Sequence, residues 1–181
     1  KAERRPQGPA EQSTHYLTIP NREVRLVYTS TFREWMIARM SPSGGNLDQL
    51  VRALLAGDAE SFEEELQIFA TNLLSYHDGT VRGEQLYQGF IIGLLAVMEP
   101  GHRVRSNRES GKGRPDVTIT PVRPGAPGVV LELKVAKPGK KTPEQALAAG
   151  LAQIAANDYA AEPRAAGASP VHAFVAVFDG K

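Results

Sequence analysis

A chain of 181 residues with 41% hydrophobic and 23% charged residues has the size and composition of one globular domain, which excludes two full-sized ones. It has no cysteine, which excludes disulfide scaffolds, Cys-ligated zinc, iron–sulfur clusters and thiol nucleophiles, so any metal must be held by oxygen or imidazole. The net charge of +1 conceals a segregation: residues 101–141 carry ten Lys/Arg against three acids, and the remainder is net negative. Such asymmetry is the footprint of a surface that meets a polyanion, or else a plain solvated face. The longest apolar stretch, residues 89–98, is about half of the roughly 20 needed to cross a bilayer, and the N-terminus shows no charged-then-apolar signal pattern. This reads as a soluble, cytoplasmic protein without a membrane partner, and the opening at Lys1 reads as a piece of something longer.

Residues 1–15 are polar, contain proline and lack apolar periodicity, as expected of a disordered lead-in or linker. Residues 16–80 are read as a helical region packed on the core that follows. After Pro20, Asn21 caps a helix with Val24, Val27, Tyr28, Thr31, Trp35 and Met36 at helical spacing, ended by residues 41–45. A second helix spans 47–56, capped by Asn46 and stopped by Gly57. Ser61 and Glu64 form a capping-box pair that opens a third helix, to about Ser75. A fourth runs from Glu84 to Met98, where Gly89 and Gly93 predict close approach of another backbone.

After Pro100 and Gly101 the period changes from helix to strand. Residues 102–107 alternate, and 116–120 place Val117 and Ile119 on one face with Asp116, Thr118 and Thr120 on the other. The turn-rich 121–128 reverses the chain into a strand at 129–135, predicting an antiparallel pair. Thr142, Pro143 and Gln145 open a long helix to about Ala161, with Leu147, Leu151 and Ile154 as its apolar stripe. Residues 171–178, nearly all apolar, read as a strand buried on both faces and parallel to 129–135. The fold class is α/β, with a helical N-terminal half and a β-β-β-α-β unit over 81–181.

The strand at 129–135 is aliphatic except for Glu132 and Lys134, which alternation puts on one face. A buried charge costs several kcal/mol unless paired or metal-bound. Glu132 and Lys134 pairing with each other at a sheet edge is one reading. Asp116 opens another: Pro115 forces extended geometry before it, and antiparallel pairing brings its carboxylate to Glu132 with Lys134 nearby. Two converging carboxylates repel, and a hard divalent cation such as Mg²⁺ or Mn²⁺ relieves them. Beside it Lys134 orients or deprotonates a water and neutralises phosphate charge, the outline of a phosphodiester hydrolysis site.

Pro115-Asp116, a spacer, then Glu132-Leu133-Lys134 resembles the PD-(D/E)XK nuclease signature, and Gln153 on the following helix resembles that superfamily's fourth motif. The strings LTIPNREVR (17–25), YQGFIIGLL (87–95), SNRESGKGRPDV (106–117) and VVLELKV (129–135) together resemble the nuclease-like domain at the C-terminus of bacterial AAA-type ATPases. The resemblance implies a restriction-endonuclease-like core, a mixed sheet flanked by helices. It implies Glu84 as a first-motif acid, Asp116 and Glu132 as metal ligands with the Leu133 carbonyl completing coordination, Lys134 as base or water-positioner, and Gln153 in support. It also implies DNA as substrate and an ATPase domain in the same chain; a homodimer is a separate expectation.

For phosphate contacts the basic segment offers Arg105, Arg108, Lys112, Arg114, Lys137 and Lys140, the middle of these on a flexible loop or a plain hairpin turn. Residues 110–113 superficially suggest a phosphate loop, but Ser106 and Gly113 stand where the Walker pattern needs glycine and Ser/Thr. The four histidines, His15, His77, His102 and His172, show no metal-ligand spacing. Glu84 is equally readable as an acid favoured by the helix dipole. Three function classes stay open: an active metal-dependent deoxyribonuclease, a silent nucleic-acid-binding module, and a coupling domain for an attached ATPase.

Overall fold

The computed structural model describes residues 2–4, 15–17, 27, 31, 34, 38, 44–73, 84–106, 110–136, 139 and 141–178. β1 (Ala2–Arg4), in the segment read as a disordered lead-in, pairs antiparallel with β2 (His15–Leu17), which starts at that segment's last residue. This ladder satisfies backbone groups in a stretch whose side chains carry no apolar pattern. Residues 27, 31, 34 and 38 are helical, as the spacing before residue 41 requires; the predicted cap Asn21 lies outside the described residues.

Helix α1 (Leu47–Ala56) begins and ends where its caps dictate. The Asn46 side chain accepts from the Gln49 amide at 3.0 Å, and Gly57, at φ +77°, returns its N–H to the carbonyls of Ala53 and Leu54. Helix α2 (Ala59–Leu73) starts before the expected Ser61. Asp58 is the cap: its carbonyl takes the Phe62 amide and its side chain takes the Ser61 amide at 3.1 Å. With α1 stopped at Gly57, Asp58 is the first residue able to cap, and it pre-empts Ser61. The buried Glu65 of α2 accepts from the Asn46 backbone at 2.7 Å, fastening the two helices.

Helix α3 (Glu84–Leu95) continues as a 3-10 turn, Ala96–Met98. A Cβ added at Gly89 or Gly93 would meet nothing within 4 Å, so neither glycine serves close backbone approach, contrary to the expectation from their spacing. Strands β3 (His102–Ser106), β4 (Val117–Pro121), β5 (Gly128–Val135) and β6 (Val171–Phe178) form one mixed sheet in that order. Neighbours are antiparallel except for the parallel β5–β6 pair. Between β5 and β6 run α4 (Pro143–Asn157) and α5 (Ala161–Ala165). The result is the mixed sheet flanked by helices that the sequence led us to expect.

One sheet face carries Val117, Ile119, Val129, Leu131 and Leu133, buried with the apolar faces of α1, α2 and α3 in a single core. The other face is covered by α4 and α5, so Thr118 and Thr120 are buried as well. Helix α4 opens with the expected capping box of Thr142 and Gln145. It packs with a different stripe from the one predicted: Ala146 and Gly150 face the sheet, while Leu147 and Leu151 are 41% and 51% exposed. A Cβ on Gly150 would come within 2.5 Å of Val175 Cγ1, so small residues set the approach and the leucines fall outside it. The helix also stops earlier than expected, because Asp158 turns left-handed at φ +48°. β6 is an edge among the described strands and is half-buried along most of its length, which corrects its reading as buried on both faces.

Candidate active site

The β4–β5 register pairs Val117 with Leu131, so Asp116, one residue before β4, faces Glu132. Two hydrogen bonds fix Asp116. Its Oδ2 accepts from the Leu133 backbone N–H at 2.8 Å, and its carbonyl accepts from Gln88 Nε2 on α3 at 2.9 Å. Pro115 behind it is buried. The carboxylate is thus tied to one strand and its backbone to a helix on the opposite side of the sheet.

Glu132 is 1% exposed, on a strand whose neighbours are fully buried. Its Oε1 accepts from Lys134 Nζ at 2.7 Å, the same-face pairing that strand alternation requires. Its Oε2 is buried and has no hydrogen-bond partner. Burial raises the Glu132 pKa above the ordinary glutamate value, and the Asp116 carboxylate pushes it further; the Lys134 hydrogen bond opposes both. The site therefore holds a carboxylate that is uncomfortable as an anion and half-satisfied by one ammonium. Asp116 and Glu132, with one buried Glu132 oxygen left without a partner, form a donor set that fits a hard divalent cation. Among the described residues no third His, Asp or Glu joins them in a metal-holding group.

The remaining candidates fall into three groups. Glu84 is the first residue of α3, one turn before Gln88; its side chain lies outside those described. Leu133 contributes its N–H to Asp116 and buries its side chain in the core on the opposite face. Gln153 does not join the carboxylates: its amide donates to the Tyr159 hydroxyl at 3.0 Å.

Of the basic residues, Arg105 is half-buried on β3, Lys112 and Arg114 are exposed, and Arg108, Lys137 and Lys140 lie outside the described residues. The turn carrying Lys112 is docked onto the end of α4, so its described residues form a tight turn and not a free loop. Lys112 N–H donates to the Asn157 carbonyl at 2.7 Å, and the buried Ser110 hydroxyl donates to the Tyr159 carbonyl at 2.6 Å. Gly111, at φ +61°, lies so close that a Cβ would sit 2.2 Å from the Asn157 oxygen. Ser110 also accepts from the Glu162 amide at 3.0 Å, and Gly113 packs on the Tyr159 ring. Sequence reasoning missed Gln88 and Tyr159. The one hint of Gln88 is its position a turn after Glu84 in a largely apolar helix, whereas Tyr159 gives no local signal.

A family model of the PD-(D/E)XK nuclease superfamily matches residues 82–181, more than half of the chain. The match takes in α3, all four strands of the main sheet and both helices of the β5–β6 crossover. Comparison with curated proteins and with solved structures gives no match.

Proposed function

The chain belongs to the PD-(D/E)XK nuclease superfamily, and from that premise we propose that it is a metal-dependent nuclease hydrolysing DNA phosphodiester bonds. The observation that carries the proposal is the meeting of Asp116, Glu132 and Lys134, with one Glu132 oxygen buried and unpartnered. Mg²⁺ or Mn²⁺, held by Asp116, Glu132 and the Leu133 carbonyl with Glu84 as a further ligand, would supply Lewis acidity toward the phosphate and toward a bound water.

The chain's own groups do the rest. The Leu133 N–H and Gln88 hold Asp116 in one orientation before substrate arrives. Lys134, with a side chain 21% exposed, stands between the buried Glu132 and solvent, where its ammonium meets the attacking water and the charge that grows on the phosphate. Bonded to Glu132 as an ammonium it has no lone pair to accept a proton, so its task in this arrangement is positioning and neutralisation. Gln153 supports the site through Tyr159, which packs on Gly113 three residues before Asp116. The basic 101–141 segment supplies phosphate contacts, Lys112 and Arg114 from around the docked turn.

The strings that resemble the nuclease-like domain at the C-terminus of AAA-type ATPases support placing this domain in a larger, cytoplasmic ATPase-containing protein. Among the described residues no helix is long and apolar enough to cross a membrane. The test is incubation of the purified chain with linear, circular and single-stranded DNA in Mg²⁺, Mn²⁺ or EDTA, beside Glu132→Ala and Lys134→Ala. Cleavage by the parent in metal alone, abolished in both variants, is the expected result. Cleavage by Glu132→Ala at the parent's rate overturns the site. Tight DNA binding without cleavage under any metal favours the alternative, a silent binding or coupling domain of the ATPase.

A further inference from the structure

The β3–β4 register pairs Arg105 with Thr118 and Arg103 with Thr120, so both arginines share the sheet face of Asp116, Glu132 and Lys134. Val104 between them turns to the core on the other face, which fixes the sense of the alternation. Same-face residues on a strand lie about 7 Å apart. Arg105 is therefore one step along the sheet from the Asp116–Glu132 row, and Arg103 a second step further.

Arg105 is half-buried, yet no hydrogen bond or ion pair engages its guanidinium among the described residues. Its nearest carboxylate along the diagonal, Asp116, is committed through Oδ2 to the Leu133 N–H. The hydroxyl of Thr118 opposite is buried without a partner, so it does not serve Arg105 either. A partly desolvated fork of N–H donors with no acceptor among the described residues is costly unless an anion completes it, and phosphate matches that fork with two parallel bonds. Lys134 flanks the carboxylate pair on one side and Arg105 on the other.

Resting on the nuclease reading, we infer that Arg105 is a phosphate clamp: it grips the phosphodiester adjacent to the one cut at Asp116 and Glu132, and Arg103 receives the next along the β3 edge. The nucleic-acid strand then runs across the sheet end from Lys134 toward β3. Arg105 binds and does not take part in the bond change, so its loss acts on KM.

The experiment uses the intact chain and oligonucleotides with one mapped cleavage point, each carrying a single uncharged methylphosphonate at a different position around it. In the parent, one flanking position should raise KM roughly tenfold with kcat within about twofold. Arg105→Ala should show that same rise on the unmodified substrate and no further rise at that position, while other positions behave as in the parent. Arg105→Lys, which keeps the charge but not the fork, should fall between, and stands in for the alanine variant if that one does not fold. A parent that cleaves while Arg105→Ala and Arg105→Lys match it in KM overturns the clamp alone, as does a methylphosphonate penalty that persists undiminished in both. A parent that leaves every oligonucleotide intact in Mg²⁺ and Mn²⁺ overturns the nuclease reading, and the clamp with it.

Discussion

Replacing Glu132 by glutamine separates a metal site from an ordinary ion pair. Glutamine keeps the shape and still offers Lys134 an acceptor at the position of Oε1, but removes a charge that burial and Asp116 both disfavour. Because the folded-state pKa of Glu132 is raised, its favourable contribution is complete below the ordinary glutamate value near ~4.3 and is lost as pH rises through the raised value. In EDTA, Glu132→Gln should therefore melt close to the parent in acid, and at or above it at neutral pH. In Mn²⁺ the order reverses. A cation bound only to the folded state stabilises the parent by about 2.7 kcal/mol at a hundredfold excess over its dissociation constant. For a domain of this size each kcal/mol moves the midpoint by about 2–4 °C, so the parent should gain roughly 5–10 °C and the variant little. Scanning calorimetry of both proteins at several pH values, with Mn²⁺ or EDTA, reads every term. A parent midpoint indifferent to Mn²⁺, with a variant destabilised by the same amount at every pH, would refute the reasoning and leave Glu132 as a plain partner of Lys134.

Gly111→Ala should lower the thermal midpoint by several degrees, since a Cβ there adds left-handed strain of about 1–2 kcal/mol to a clash with the Asn157 and Asp158 carbonyls; an unchanged midpoint would show the docked turn to be dispensable. Thr142→Ala removes one half of the α4 capping box and should cost about 1 kcal/mol by urea denaturation, with Thr142→Ser recovering most of it. Reversing Lys112 and Arg114 to glutamate should weaken binding of unrelated DNA sequences about equally and flatten the dependence of affinity on salt, measured by fluorescence anisotropy; loss confined to one sequence would mean base reading.

Local signals carried much of this fold. Asn46 and Gly57 bound α1, Thr142 with Gln145 opens α4, and strand alternation alone puts Glu132 and Lys134 on one face. The turn at residues 121–128 made β4 and β5 antiparallel, and an intervening helix made β5 and β6 parallel. What escaped was decided by packing across the chain. A stripe of Ala146 and Gly150 has no hydrophobic signature, yet it seats α4 on the sheet while Leu147 and Leu151 look outward. Two eligible caps, Asp58 and Ser61, stand one turn apart, and only the preceding stop at Gly57 decides between them. In the site, Asp116 and Glu132 were legible from their strands. The roles of Gln88 and Tyr159 were not, because each acts on a segment more than 25 residues away.

The bond from the Leu133 N–H to Asp116 ties chemistry to strand pairing. A one-residue slip of β4 against β5 would turn Asp116 to the opposite face, exchange the buried valines and threonines, and leave Glu132 facing an empty row. The proposed ability to cut therefore depends on the strands being locked in this alignment, which is what brings Asp116 to Glu132. On the proposed reading, a chain still folding, or one loosened at this seam, lacks the assembled site. Loss of the β4–β5 pairing would part Asp116 from Glu132 and end the proposed activity with it.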